Sequence, residues 1–300
     1  MTALTFPEMT PTGAAVPDGP IRFGSDAHKR LFCRTLLDTF NPYRPAVIDW
    51  PKLDAPTKDR ITALPIWDIA VQTENRAGLN VCTYAEDIAD PLLRKAVELN
   101  GFEERRHRYV LSNLVEAYGI KLAPEPAYPR PKDPEWAFLV TGYSECIDSF
   151  FAFGLFETAK SSGFFPADLV DTFEPVIQEE GRHILFFVNW VAWHRRNMPL
   201  WRRPWFELKV LAVWAFLVYE RIGIASDVSN GQQDNNFTVN GASQLGGDDI
   251  DVFKLMDTCL VENDRRLGIY DQRLKRPRFV PFMIRTFRRF IGPKRTVAAT

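Results

Sequence analysis

Two segments of this 300-residue chain spell the same five-residue pattern, Glu103-Glu104-Arg105-Arg106-His107 and Glu179-Glu180-Gly181-Arg182-His183. In each, a Glu and a His stand at i and i+3, a spacing that brings two side chains to one face of a helix. A carboxylate and an imidazole paired in this way can hold one cation. Two such helices facing one another offer two Glu and two His to a shared interior, and one inward Glu from each of two further helices completes a two-metal carboxylate site. The chain has four histidines, and two of them fall in the repeat. His28 and His194 lack comparable neighbours and read as surface or interface residues.

The elements that must carry these groups can be read from start and stop signals. Residues 66–88 have helical apolar spacing. Asp90-Pro91 joins an N-cap to a proline at the first helical position, opening a second helix that runs to Gly119. A proline-rich crossover follows. Asp133-Pro134 repeats the start signal for a third helix ending near Ser161-Ser162-Gly163, and a fourth has Pro175 in its first turn and ends before Pro199. One helix out, a short turn and one helix back return the chain to the same depth after about thirty residues. Glu74 lies 30 residues before Glu104, and Glu145 lies 35 before Glu180. Asp148, 32 before Glu180, competes with Glu145, whereas Glu86 is only 18 residues from Glu104.

The order Glu, E-x-x-H, Glu, E-x-x-H resembles the ferritin-like di-iron carboxylate superfamily. The fuller E-E-x-R-H is similar to the (D/E)-E-x-R-H of acyl-carrier-protein desaturases, bacterial di-iron monooxygenases and the aerobic magnesium-protoporphyrin ester cyclase. The resemblance covers about residues 66–197. It implies an all-α, ferritin-like four-helix bundle with additional C-terminal helices, and metal ligands Glu74, Glu104, His107, Glu145, Glu180 and His183. Glu145 is preferred over Asp148 because Glu is the usual third-helix ligand. Glu103, Arg106, Glu179 and Arg182 would form a charged, hydrogen-bonded surround that orients the imidazoles, with Asp148 among them. Ser149, four residues after Glu145, would be a hydroxyl assisting oxygen handling. The implied cofactor is two iron ions, with manganese as a substitute. The implied partners are dioxygen, an external electron donor (ferredoxin or a reductase) and a small organic substrate that is at least partly apolar. The implied activity is that of a monooxygenase- or desaturase-like oxidoreductase. An iron-oxidising or peroxide-scavenging protein of the ferritin or rubrerythrin kind is the alternative, although no C-x-x-C pair exists for a rubredoxin module.

Around this core, residues 1–60 read as a proline-rich arm with one short helix near 26–40, and 61–200 as the di-iron bundle. Residues 201–300 read as a helical extension: a fifth, apolar helix over 200–225, a flexible polar loop over 226–247, a helix over about 248–268 and a basic tail. The formal net charge of −1 argues against nucleic acid as a partner. Cys33, Cys82, Cys146 and Cys259 stand far apart and suggest neither a zinc site nor a disulfide framework. Cys82 and Cys146 read as small buried hydrophobes, and Phe150, Phe151, Phe153 and Phe156 as core. The N-terminal residues lack an apolar signal-peptide region. The longest apolar run, Leu211 to Tyr219, is too short to span a bilayer. A cytoplasmic protein is expected, with a homodimer as one assembly. After Asp271 the chain carries only basic charges, including Arg285, Arg288 and Arg289, beside an apolar stripe of Val280, Ile284, Phe287 and Ile291. Such a tail fits a membrane surface or an acidic carrier; alternatively its stripe packs on the bundle and its arginines are solvated.

Overall fold

The computed structural model describes residues 15–64, 66–228 and 252–291. Among them lie nine α-helices and no strand: α1 (Asp26–Asp38), α2 (Ala55–Thr62), α3 (Trp67–Glu86), α4 (Pro91–Tyr118), α5 (Pro134–Ser162), α6 (Ala167–Asn197), α7 (Arg203–Val228), α8 (Val252–Gly268) and α9 (Phe279–Ile291). The loop expected over 226–247 lies, beyond Val228, outside the described residues.

The start and stop signals act as expected. The Asp90 carboxylate accepts from the Leu93 amide at 2.9 Å, and Asp133 accepts from Trp136 at 2.9 Å, so each caps a first turn whose proline has no N–H to satisfy. At the far end of α4, Gly119 adopts φ 70°, a left-handed conformation that most side chains avoid. This lets the Ile120 amide reach back to Val115 O at 2.9 Å and close the helix.

The helices α3, α4, α5 and α6 surround a common interior, with α1 laid against α4 and α6 and α8 against α5. Leu31, Phe32, Cys33, Leu36 and Leu37 of α1 are buried in the main core, so the N-terminal segment is more than an arm: its helix is a packed wall of the interior. A short helix over 55–62, capped by Asp54, was not foreseen. Tyr84, Phe138 and Trp190 interlock the core, with ring centroids 4.5 Å apart for Tyr84–Phe138 and 4.8 Å for Phe138–Trp190. Where α5 meets α8, a Cβ on Gly154 would fall on the Cys259 sulfur and lie 2.9 Å from Cys259 Cα. Close approach there depends on glycine.

Two expectations are corrected. Pro175 sits inside α6 rather than in its first turn, because the helix already begins at Ala167, and one backbone hydrogen bond is forgone within it. His28 is fully buried, between Phe23 and Phe32, with Nε2 2.9 Å from Asn189 Oδ1. No helix among the described residues is long and apolar enough to cross a membrane.

Candidate metal centre

Each of the four central helices delivers carboxylate or imidazole to one place. Glu74 comes from α3, Glu104 and His107 from α4, Glu145 from α5, and Glu180 and His183 from α6. Ligand atoms of Glu74, Glu104, His107 and Glu180 lie within 4.8 Å of one another, as do those of Glu104, Glu145 and His183. Glu104 belongs to both groups. The two imidazoles face each other with ring centroids 5.6 Å apart.

The orientation of those imidazoles is set crosswise. Glu179 of α6 accepts from Nε2 of His107 on α4 at 2.8 Å, while Glu103 of α4 accepts from Nε2 of His183 on α6 at 2.9 Å. A carboxylate at these distances can only accept, so Nε2 carries the proton and Nδ1 is left as the ligating atom. Each orienting carboxylate is itself held by a buried guanidinium: Arg106 Nη2 reaches Glu179 at 2.7 Å, and Arg182 Nη2 reaches Glu103 at 2.5 Å. The arginines are anchored beyond the repeat, Arg106 by the Asn41 carbonyl at 2.6 Å and Arg182 by the Leu36 carbonyl at 2.9 Å.

This arrangement fits a cation and is poorly satisfied without one. His107 Nδ1 is 3.0 Å from Glu180 and His183 Nδ1 is 2.7 Å from Glu104, yet neither nitrogen has a hydrogen-bond partner, and neither does buried Glu145 Oε1. Lone pairs from several groups converge on shared points. Burial, reinforced by the charges of Glu104 and Glu180, lifts the Glu74 carboxyl to about 8, even though its side chain keeps 21% of its surface. Burial and the Glu104 charge also raise Glu145 well above the carboxylate range. Burial disfavours charge on His107, but the hydrogen bond to Glu179 and the nearby carboxylates of Glu180 and Glu74 outweigh this and raise its affinity for a proton. By contrast, Arg182 and His183 overcome the desolvation of Glu103 and hold it ionised, down to about 2. Glu103 therefore keeps its charge, while Glu74 and Glu145 are pushed toward their protonated forms.

Ser149 Oγ lies 3.5 Å from Glu180 Oε2, at the edge of the cluster. Asp148 requires a correction: its carboxylate is turned outward to Arg221 of α7 at 2.7 Å and to Ser144 at 2.7 Å, and its side chain is 49% exposed. The fifth helix supplies a cation that captures it, so it is not part of the ligand surround. Phe150 and Phe153 are core residues, and the guanidinium of Arg266 lies 5.5 Å from the rings of both Phe153 and Phe156. Tyr43 was missed. Its ring lies 3.9 Å from the Arg106 guanidinium, its hydroxyl donates to Glu179 at 3.3 Å, and burial pushes that hydroxyl up to about 12. It stands in an irregular segment where no periodicity marks it. Asn100, whose Nδ2 is 3.4 Å from Glu104 Oε1, was legible in principle, one helical turn before Glu104 on the same face. Behind Glu179 and Arg182 a cavity of about 250 Å³ opens between Asn41, Gln178 and Tyr270.

No family model, curated protein or solved structure matches this chain.

Proposed function

We propose that this chain is a ferritin-like, four-helix di-iron protein that activates dioxygen to oxidise an organic substrate that is at least partly apolar. The observation that carries the reading is the charge and donor set of the buried cluster. Arg106 and Arg182 neutralise Glu103 and Glu179 through direct contacts. That leaves four carboxylates, Glu74, Glu104, Glu145 and Glu180, matching the charge of two divalent cations, with one imidazole nitrogen available to each. The oxygen-and-nitrogen donor set suits iron or manganese and lacks the thiolates of most structural zinc sites. Helix-bundle carboxylate centres carry a donor set of this kind.

Glu74, Glu104, His107, Glu145, Glu180 and His183 would hold the metal, and ferrous iron bound by them would supply the electrons for reduction of dioxygen. The protein's own part is positional. Glu179 and Glu103 keep the Nε2 protons of His107 and His183 in place. The Ser149 hydroxyl is within reach of Glu180 and can hold a proton at its Oε2. Phe150 and Phe153 keep water from the α5 side of the interior. An external electron donor, a ferredoxin or a reductase, would be the partner that this reading requires.

The test is anaerobic reconstitution followed by exposure to oxygen. The expected result is about two irons per chain, as such sites require, reduced in Glu104→Ala and in His183→Ala, with oxygen uptake that rises when the substrate is present. Growth of a mineral with many irons per chain and no dependence on substrate would replace this reading with iron storage. Undiminished iron in both variants would remove the ligand assignment.

A further inference from the structure

Two helices turn apolar faces outward. On α7, Trp205, Leu208, Leu211, Phe216, Val218 and Tyr219 are exposed, Tyr219 at 77%. At about 100° per residue, the charged residues Glu207 and Lys209 fall at the borders of this face and none falls within it. Trp201, just ahead of α7, extends it at 72% exposure. On α9 the usual arrangement of an amphipathic helix is reversed. Arg288 is tied to Asp257 of α8 at 2.7 Å and Arg285 to Asp264 at 3.2 Å, while Phe279, Phe282, Met283 and Phe290 face out, Phe290 at 78%. At the start of α9 the ring of Phe279 meets that of the part-buried Trp214 of α7 at 4.7 Å, which brings the two helices close. Soluble monomers rarely leave contiguous apolar patches beyond a few hundred Å² uncovered.

The rim charges indicate what covers it. The acidic rim residues are neutralised, Glu207 by Arg195 at 2.8 Å and Glu220 by Arg76 at 3.8 Å. Arg202, Arg278 and Arg289 have no carboxylate partner among the described residues. Among the described residues the uncompensated rim charge is cationic, so a second copy docked face to face through them would oppose like charges. Aromatic and aliphatic side chains bordered by arginine are what helices lying in a headgroup layer carry, and no described helix is suited to cross the bilayer.

We propose that the outward faces of α7 and α9 seat this protein on a bilayer surface containing anionic lipid. The aromatic and leucine side chains enter the acyl boundary, and Arg202, Arg278 and Arg289 lie among the phosphates. This surface stands apart from the metal centre and does not depend on what that centre does.

The full chain is mixed with vesicles of phosphatidylcholine alone, or of phosphatidylcholine with phosphatidylglycerol, and sedimented at low and high salt. Tryptophan fluorescence is followed in parallel. The expected result is pelleting with the phosphatidylglycerol vesicles, weakened by salt, and a blue shift of the tryptophan emission. Leu211→Glu with Phe290→Glu lowers the bound fraction roughly tenfold, because charge is moved into the apolar layer. Both residues are exposed, so the variant keeps its helical circular dichroism and its metal content. Arg278→Glu with Arg289→Glu weakens binding to anionic vesicles only. Absence of pelleting with both vesicle types overturns the proposal, as does pelleting that neither variant alters or that is equal on neutral vesicles. A dimer that Leu211→Glu converts to monomer, without vesicle binding, reassigns the face to self-association; capture by an acidic carrier protein in place of vesicles reassigns it to that partner.

Discussion

Tyr43 lies against Arg106 with 3.9 Å between its ring centroid and the guanidinium carbon, and the same residue donates its hydroxyl to Glu179. One side chain from an irregular segment thus touches both members of the pair that orients His107. Tyr43→Phe keeps the ring over the cation and loses a long hydrogen bond, so about 0.5–1 kcal/mol of stability should go. Tyr43→Ala also removes the aromatic face and should cost roughly 2–3 kcal/mol. Urea unfolding of the metal-free protein measures both. Equal losses would mean that the ring contact contributes nothing.

Because the orienting contacts are crossed, removing a carboxylate on one helix should weaken a ligand on the other. Glu179→Gln, which retains an acceptor for His107 but leaves Arg106 with only the more distant Glu103 as charge partner, should lower affinity for a divalent cation about 10- to 100-fold. Cobalt(II) titration reads this through its absorbance without any turnover. A disturbance confined to His183, leaving His107 unaffected, would contradict the crossed arrangement.

The two acidic residues of α5 should separate cleanly. Glu145→Ala removes a group aimed into the cluster and should reduce bound iron. Asp148→Ala should leave metal content unchanged and lose the contacts with Ser144 and Arg221, the latter a partly exposed pair that contributes about 0–1 kcal/mol. Iron analysis of the two variants after identical reconstitution decides between them. The reverse outcome would return Asp148 to the ligand set.

Where α5 and α8 touch, the interface tolerates no side chain at Gly154. Gly154→Val should destabilise by roughly 1–3 kcal/mol or more, since the clash involves Cys259 backbone as well as its sulfur. Thermal unfolding is the measurement. A neutral result would mean that α8 can shift away from α5 freely.

Glu135 gives a pH signature remote from the metal cluster. Its bond to His194, aided by Lys209, holds its carboxyl down at about 2 against an ordinary value of 4.5. A depressed carboxylate stabilises the fold above the unfolded value. That contribution is lost as pH falls from 4.5 through about 2. Glu135→Gln should therefore flatten the acid limb of the stability profile in that window. An unchanged slope would show that His194 and Lys209 contribute nothing there.

Much of this was legible in the sequence because it rests on local chemistry. Asp-Pro pairs cap helices through their own next turn, and Glu and His at i and i+3 share a face whatever surrounds them. Glu74, Glu104, His107, Glu180 and His183 follow from that spacing plus helix length, whereas spacing left Glu145 and Asp148 open and the family resemblance favoured Glu145. The failures came where a distant element decided the outcome. Asp148 shares a helix face with Glu145 by spacing, and only Arg221, far along the chain, draws it outward. His28 had no local signal for burial, since Asn189 and the aromatic wall around it belong to the folded state. Pro175 looked like a helix start because the earlier cap, at Pro166, lacks a side-chain donor or acceptor. Of the tail's arginines, Arg288 and Arg285 meet Asp257 and Asp264 of α8, partners that the tail's own sequence does not show.

The crossed contacts of Glu103 and Glu179 also limit how the chain can tolerate insertions and deletions. One residue added or removed within the central part of α4 or α6 turns everything beyond it by about 100°. A shift that carried Glu103 away from His183 would swing its near neighbour His107 away from Glu179 as well, so a length change in one helix has no compensating partner elsewhere. The joining segment at 119–133 is under no such restriction. Length variants should accumulate there, between the two halves of the repeat, and be absent from within them.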